Sequence, residues 1–225
     1  MQTAQEVQAD FDQIALVSGE RWSHNHHYHS FMLKHAPAHC EAALEIGCGT
    51  GTFSRLLAQC ANQVLAIDLS PEMIRLAQGH SAQFPNIEYQ TADALSCDFP
   101  ARGFDYIASI ATLHHLPMKE MLVKMWEALR PKGSLLVLDL LASEGVGDLL
   151  ADLAGIPLSL GLTLLHTGRF REPREVREAW AKHGRHDSYL TLSEVGRICR
   201  ETLPGAQVRR HLLWRYSIVW RKPAA

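Results

Sequence analysis

An α/β fold, a parallel sheet with helices on both faces, is what this sequence predicts, and three observations carry the prediction. Between residues 42 and 139 short apolar runs alternate with helix-length amphipathic segments, the pattern of successive βα units. The first run ends in Glu45 and passes at once into Gly47-Cys48-Gly49-Thr50-Gly51, a turn whose glycines admit positive φ and leave no Cβ between chain and ligand. The next two runs also end in acids, Asp68 and Asp93. Three acids at three successive strand ends speak more specifically than the glycines do, because ligands of open α/β sheets sit beyond the carboxyl ends of the strands.

In chain order, residues 3–17 read as an amphipathic helix, with Val7, Phe11, Ile14 and Ala15 at helical spacing. Ser23 is placed to cap a second helix reaching about residue 35, before Pro37. On that helix His24, His27, Tyr28 and Phe31 would share one face. Strands follow at 42–46, 63–67, 87–91, 104–110 and 133–139, with helices at 52–60, 71–80 and 118–129 between them. Ser70-Pro71 opens the middle helix, proline being suited to the first helical position. Residues 143–190 have an apolar half and a charged half. So long a connection carries structure of its own, and two or more helices forming a lid over the substrate side are expected, with a dimerisation element as the competing reading. A helix at 191–202 carries a capping-box pattern, Thr191 with Glu194. The segment 206–220 is strand-like, with Trp214, Tyr216, Ile218 and Trp220 alternating onto one core-facing row.

At 225 residues and 47% hydrophobic content the chain can bury one full core, so a single domain is expected over residues 1–225. A net charge of −2 gives no general pull toward nucleic acid. The local excess between Arg169 and Arg215, 11 Lys/Arg against 6 Asp/Glu, reads as a solvated helical face. Five cysteines without a paired spacing suit reduced thiols, and the amino terminus shows no secretory pattern, so a cytoplasmic protein is expected. The apolar run 153–165 contains Pro157 and is too short to span a bilayer. His24, His26, His27 and His29 suggest metal, but nothing near them in sequence completes a ligand set, and no metal is expected.

Six stretches resemble the ordered motifs of class I S-adenosylmethionine (SAM) dependent methyltransferases of the type 11/12, small-molecule branch. They are Glu45 to Gly51, Asp68-Leu69-Ser70-Pro71-Glu72-Met73, Ala92-Asp93-Ala94, Phe104-Asp105-Tyr106-Ile107, Ala111 to Leu116, and Leu129 to Leu135. The likeness is close over residues 41–139 and looser in the C-terminal hairpin. It implies a Rossmann-like sheet of seven strands, the last one antiparallel, with N-terminal covering helices over residues 1–40. The SAM-binding core would occupy 41–139, a helical lid inserted after strand five 140–190, and a C-terminal helix and hairpin 191–225. By the same resemblance Gly47, Cys48, Gly49 and Gly51 wrap the methionine and ribose part of SAM, with Glu45 before them. Asp68 takes the ribose hydroxyls, Leu69 and Met73 flank the adenine, Asp93 and Ala94 receive its polar edge, and Ile110 packs on the other side of the cofactor.

Methyl transfer from a sulfonium is an in-line displacement, in which the enzyme chiefly aligns nucleophile and methyl and excludes water. A base is needed only where the acceptor holds its proton. The candidates are His114 and His115 after the fourth strand, His27 on the covering helix and Asp139 at the end of the fifth strand. Trp22, His24, Tyr28 and Asp139 are the candidate substrate residues. The aromatic and apolar content nearby favours a small, partly apolar acceptor, met by a monomer or homodimer without nucleic acid. Cys48 reads as a small pattern residue rather than a reactive thiol. Two other classes compete: a SAM enzyme of another reaction type, cyclising or transferring an aminocarboxypropyl group, and a nicotinamide oxidoreductase, which the glycine spacing and Asp93 disfavour.

Overall fold

The computed structural model describes residues 3–185 and 187–224. Residues 1, 2, 186 and 225, which belong to the expected cap, lid and C-terminal segments, lie outside it. The chain runs α1 (Ala4–Ser18), a 3-10 turn (His24–Tyr28), α2 (His29–Leu33), β1 (Cys40–Ile46), α3 (Thr52–Leu57), β2 (Ala61–Asp68), α4 (Pro71–His80), β3 (Ile87–Thr91) and β4 (Phe104–Ile110). A 3-10 turn at Leu113–His115 leads to α5 (Met118–Ala128), β5 (Leu129–Leu140), α6 (Val146–Thr167), α7 (Arg174–His183), α8 (Leu192–Thr202), β6 (Gln207–His211) and β7 (Arg215–Arg221). The seven strands form one sheet in the order β3-β2-β1-β4-β5-β7-β6, and β7 runs antiparallel to both neighbours. This is the Rossmann-like sheet expected.

Local chemistry explains most boundaries. Thr3 and Glu6 form a capping box on α1, and Thr191 and Glu194 form one on α8. The Ser70 hydroxyl accepts from the Met73 N–H at the start of α4, with Pro71 next to it. Along β5, Leu135 and Val137 enter one core cluster while Leu136 and Leu138 enter the other, across the sheet. Successive strand residues face opposite ways, so a run apolar at every position is what two helical layers require. A smaller cluster of Ile14, Ala15, Met73 and Ala179 joins α1, α4 and α7.

The structure corrects several expectations. Residues 23–35 do not make one α-helix: a 3-10 turn precedes the single-turn α2, and the side chains fan out differently from an α-helical face. Strand β5 begins at Leu129, which pairs with Phe104 across a register shift. Trp214 leaves the expected core row, because Leu213 (φ +56°) and Trp214 (φ +59°) form the hairpin turn; Tyr216, Ile218 and Trp220 keep the row. The lid segment holds two helices, α6 and α7, as expected. The apolar stretch is longer than the run read from the sequence, because Leu150–Thr167 forms one helix across Pro157. By length and composition that window could cross a membrane. Its Leu158 and Leu162 pack on the core, while Leu150, Leu153, Ile156 and Leu160 are exposed. Four Lys/Arg residues of 169–215 form ion pairs among the described residues: Arg174 with Glu178, Lys182 with Asp10, Arg197 with Glu201 and Arg210 with Asp148 and Asp152.

Candidate active site

A cavity of about 690 Å³ lies beyond the carboxyl ends of β1, β2 and β4, roofed by α1, the first 3-10 turn and α7. That volume falls in the usual range for small-molecule sites. One half is built from the glycine turn and the strand-end acids. Gly47 (φ +75°) and Gly49 (φ +52°) hold a conformation most residues avoid. A Cβ on Gly47 would collide with Thr112, whereas one on Gly49 would enter open cavity, the mark of a backbone cradle. Gly51 lies beneath the loop rather than on the cavity: a Cβ there would strike Tyr89, so its part is steric.

Asp68 locks this cradle. Its Oδ2 accepts from the Gly49 N–H at 2.8 Å and its Oδ1 from the Ser70 N–H at 2.9 Å. Burial raises its pKa, and those two backbone donors oppose the shift. Glu45 is fully buried, accepts from the Ser54 hydroxyl, and is pushed up to about 8 by burial. Asp93 lines the cavity while its Oδ1 accepts from the Leu95 N–H at 3.0 Å. Leu69, Met73, Ala94, Ile110 and Cys48 line it too. Burial holds the Cys48 thiol far above the ordinary range, so it stays protonated and unreactive.

The other half is assembled from distant segments. His114 and His115 line it from the turn after β4. Asp139 does not reach the cavity. It is fully buried, and its Oδ1 accepts from the Leu140 N–H (2.8 Å) and pairs with His114 Nδ1 (2.6 Å), while its Oδ2 accepts from the His114 N–H (2.8 Å). Its place is behind His114, not against a substrate. Trp22 is fixed in the wall by stacking on His166, with ring centroids 4.5 Å apart. His24 lines the cavity and its Nε2 meets the Ser159 hydroxyl at 3.0 Å.

His27 and Tyr28 are not brought to the cavity. The Tyr28 hydroxyl donates to the Leu212 carbonyl at 2.6 Å, and His27 packs edge-on against Tyr28. The 3-10 turn instead aims His24, Asn25 and His26 inward, and the start of α2 adds His29. Sequence reasoning also missed Arg215, Tyr189, Asp187 and His183, which arrive from β7 and the lid. Arg215 had a readable signal: the first residue of an antiparallel strand beside β5 must land at the ligand edge of the sheet.

His115, His183 and Asp187 form a buried polar knot. His115 Nδ1 lies 3.6 Å from Asp187 Oδ1, and His183 Nε2 lies 3.7 Å from Asp187 Oδ2. Burial holds His115 down to about 4, so it is neutral at pH 7. His114, His115 and Asp187 offer ligand atoms within 4.8 Å of one another, near enough to close on a divalent ion. This set differs from the N-terminal histidines that suggested metal in the sequence.

A methyltransferase-domain family model matches residues 43–133. An uncharacterized methyltransferase of Mycobacterium tuberculosis is 28% identical over 206 residues, covering 90% of this chain and 98% of that protein. A ubiquinone biosynthesis O-methyltransferase of Xanthomonas axonopodis pv. citri is 28% identical over 147 residues, 60% of this chain and 61% of that one. Among solved structures, a Haloferax volcanii methyltransferase in complex with the Trm112 activator shares the fold, with a TM-score of 0.67 at 15% identity over 95% of this chain and 97% of that one. With a glycine cradle, an acid at each of three strand ends and a seven-stranded sheet whose β7 alone is antiparallel, the chain carries a methyltransferase domain over residues 43–133 and is similar throughout to the class I S-adenosylmethionine-dependent methyltransferases.

Proposed function

We propose that the protein methylates a proton-bearing heteroatom, a hydroxyl foremost, of a small-molecule acceptor, with His114 as general base and Asp139 as its positioning residue. The observation that carries this reading is the His114–Asp139 pair on the cavity wall, Nδ1 to Oδ1 at 2.6 Å. Asp139 already accepts two backbone N–H bonds as a carboxylate, so Nδ1 carries the proton and the lone pair stands on Nε2. The residues present fit SAM, whose sulfonium supplies an electrophilic methyl group. Gly47, Cys48 and Gly49 would cradle it, Asp68 would accept from its ribose, and Leu69, Met73 and Asp93 would hold its adenine.

The chain's own groups do the rest. His114 Nε2 takes the acceptor's proton, and the buried Asp139 carboxylate stabilises the imidazolium that results. Water is kept out by α1, the first 3-10 turn and α7. They are tied down by Arg21–Glu172 (3.1 Å), by Lys182–Asp10 (2.9 Å), and by Glu20, which takes Arg55 and the Thr52 hydroxyl. A charge-neutralising displacement inside an apolar enclosure needs no Lewis acid, and a metal on His114 would take the lone pair the base uses. Chelator-treated enzyme therefore keeps its rate, and loss of activity with a stoichiometric metal would assign His114, His115 and Asp187 as ligands instead.

The test uses SAM labelled in its methyl group and a cell extract split into low-mass filtrate, protein and nucleic acid. Label is expected in the filtrate with release of S-adenosylhomocysteine. Label in protein or RNA would overturn the small-molecule reading, and methylthioadenosine as product would show another SAM carbon being transferred.

A further inference from the structure

Strand β7 is antiparallel, so its first residue, Arg215, pairs with Leu140 at the carboxyl end of β5, on the ligand edge of the sheet. Arg215 is 9% exposed and lines the acceptor half of the cavity. Its Nε and Nη2 both donate to Asn25 Oδ1, at 3.0 and 2.9 Å, and its Nη1 donates to the Leu213 carbonyl at 3.1 Å. These acceptors are all neutral, and among the described residues no carboxylate forms an ion pair with it. Asp139 contributes a field without contact, its oxygens being taken by His114 and the Leu140 N–H. A guanidinium carries five N–H donors. Three are used here, so one remains on each of Nη1 and Nη2.

A buried cation paired only with neutral groups is expensive to keep. A structural tie between the first 3-10 turn and β7 would explain the bond to Asn25. It would not explain why the tie uses a charged group, nor why two donors are left over at the cavity. Other cationic groups on the cavity wall are occupied or neutral: Arg21 is paired with Glu172, and burial lowers the pKa of His24, with the Arg215 charge next. Leu140 pairs with Arg215 across the sheet, and Trp22 and Ile110 are among the other apolar or aromatic residues of the cavity lining. One guanidinium in such a wall suits a singly charged planar anion, which accepts in the bidentate manner arginine favours, better than a phosphate needing several donors.

We propose that Arg215 is the anion-recognition residue of the acceptor half, and that the acceptor is a small carboxylic acid with an apolar body whose carboxylate takes the two remaining N–H groups. The proposal rests on the reading above that this half of the cavity receives the acceptor.

The experiment uses the full chain saturated with S-adenosylhomocysteine and calorimetric titration with benzoate, phenylacetate and salicylate, each matched to its neutral amide. At least one acid is expected to bind, with its amide at least tenfold weaker. Asn25→Asp sets a carboxylate of the same shape onto the guanidinium. It should weaken acid binding at least tenfold while S-adenosylhomocysteine affinity and Tm hold or rise. Arg215→Gln should lose the acid preference likewise, and the Asn25 variant decides the matter should Arg215→Gln lower Tm. Equal binding of acid and amide, unchanged acid binding in Asn25→Asp, or no acid bound by the loaded protein each overturns the proposal. Failure to bind S-adenosylhomocysteine at all would instead strike the methyltransferase reading, so the two failures are told apart.

Discussion

The two halves of the cavity are built in opposite ways. The cofactor half comes largely from one contiguous stretch of βα units, residues 45–94, and much of its shape is backbone: glycines at positive φ, N–H groups on Asp68, strand ends in fixed register. The acceptor half is made of side chains from α1, the first 3-10 turn, the lid and β7, parts separated by as many as 190 positions, as in the Arg215–Asn25 bond. A site made of local backbone can be read from spacing alone. A site made of side chains from remote segments exists only once the chain has folded.

The largest expected effect breaks the acceptor half alone. His114→Ala should lower kcat by about 10²–10⁴-fold, the usual worth of a general base, with S-adenosylhomocysteine affinity unchanged. Calorimetry and turnover on the same preparation check it. If affinity falls along with kcat, the halves are coupled and the contrast is too sharp.

The next breaks the cofactor half. Asp68→Ala removes the expected ribose acceptor. Charge-assisted bonds of roughly 1.5–3 kcal/mol each make SAM affinity about ten- to several-hundred-fold weaker. Sequence position alone suggests little loss of stability, since the residue ends a strand. The bonds from Gly49 and Ser70 revise this: Tm should fall as well, because two backbone N–H groups lose their partner. Asp93→Ala should weaken SAM less. Parental affinity in Asp68→Ala would remove the ribose placement.

A smaller effect concerns pH. Glu45 titrates near 4.5 when unfolded and at about 8 when folded. Between those values the folded chain holds a proton that the unfolded chain releases. Its contribution to stability is therefore present below pH 4.5 and lost as pH rises toward 8. His29 and His115, both held down to about 4, act in the other direction: the unfolded chain takes up protons below pH 6.5, so their contribution is lost as pH falls from 6.5 toward 4. Glu45→Gln should remove the downward slope that this group gives a Tm-against-pH curve between pH 4.5 and 8, which stands clear of the His29 and His115 contributions above pH 6.5, and leave the curve below pH 4.5 unchanged. An unchanged alkaline slope would reject the assignment.

The smallest effects fall on residues the sequence placed in the site and the structure does not. His27→Ala should leave kcat and KM within about twofold, since it lies off the cavity. Tyr28→Phe loses one hydrogen bond to the Leu212 carbonyl, about 1 kcal/mol of stability, with little change in turnover. A hundredfold loss of kcat in His27→Ala would return the covering turn to the chemistry.

The sequence by itself determined the sheet, most of its helices and the starts of two of them at Ser70 and Thr191, and it named the residues that the structure gathers into the cofactor half. Strand periodicity, proline and glycine positions and capping side chains act within a few residues, so their meaning survives without the fold. Glu45, Gly47, Gly49, Asp68 and Asp93 are legible for that reason. Tertiary structure alone decided which histidines of residues 24–29 face inward, because a 3-10 turn and an α-helix differ in side-chain direction by more than spacing can resolve. It also decided that Asp139 stands behind His114 rather than in the cavity, that Asp187 and His183 fold down onto His115, and that antiparallel β7 delivers Arg215 to the ligand edge. Each of these depends on where two segments far apart in the chain come to rest. That is fixed by packing of whole elements against the sheet, and no local pattern records it.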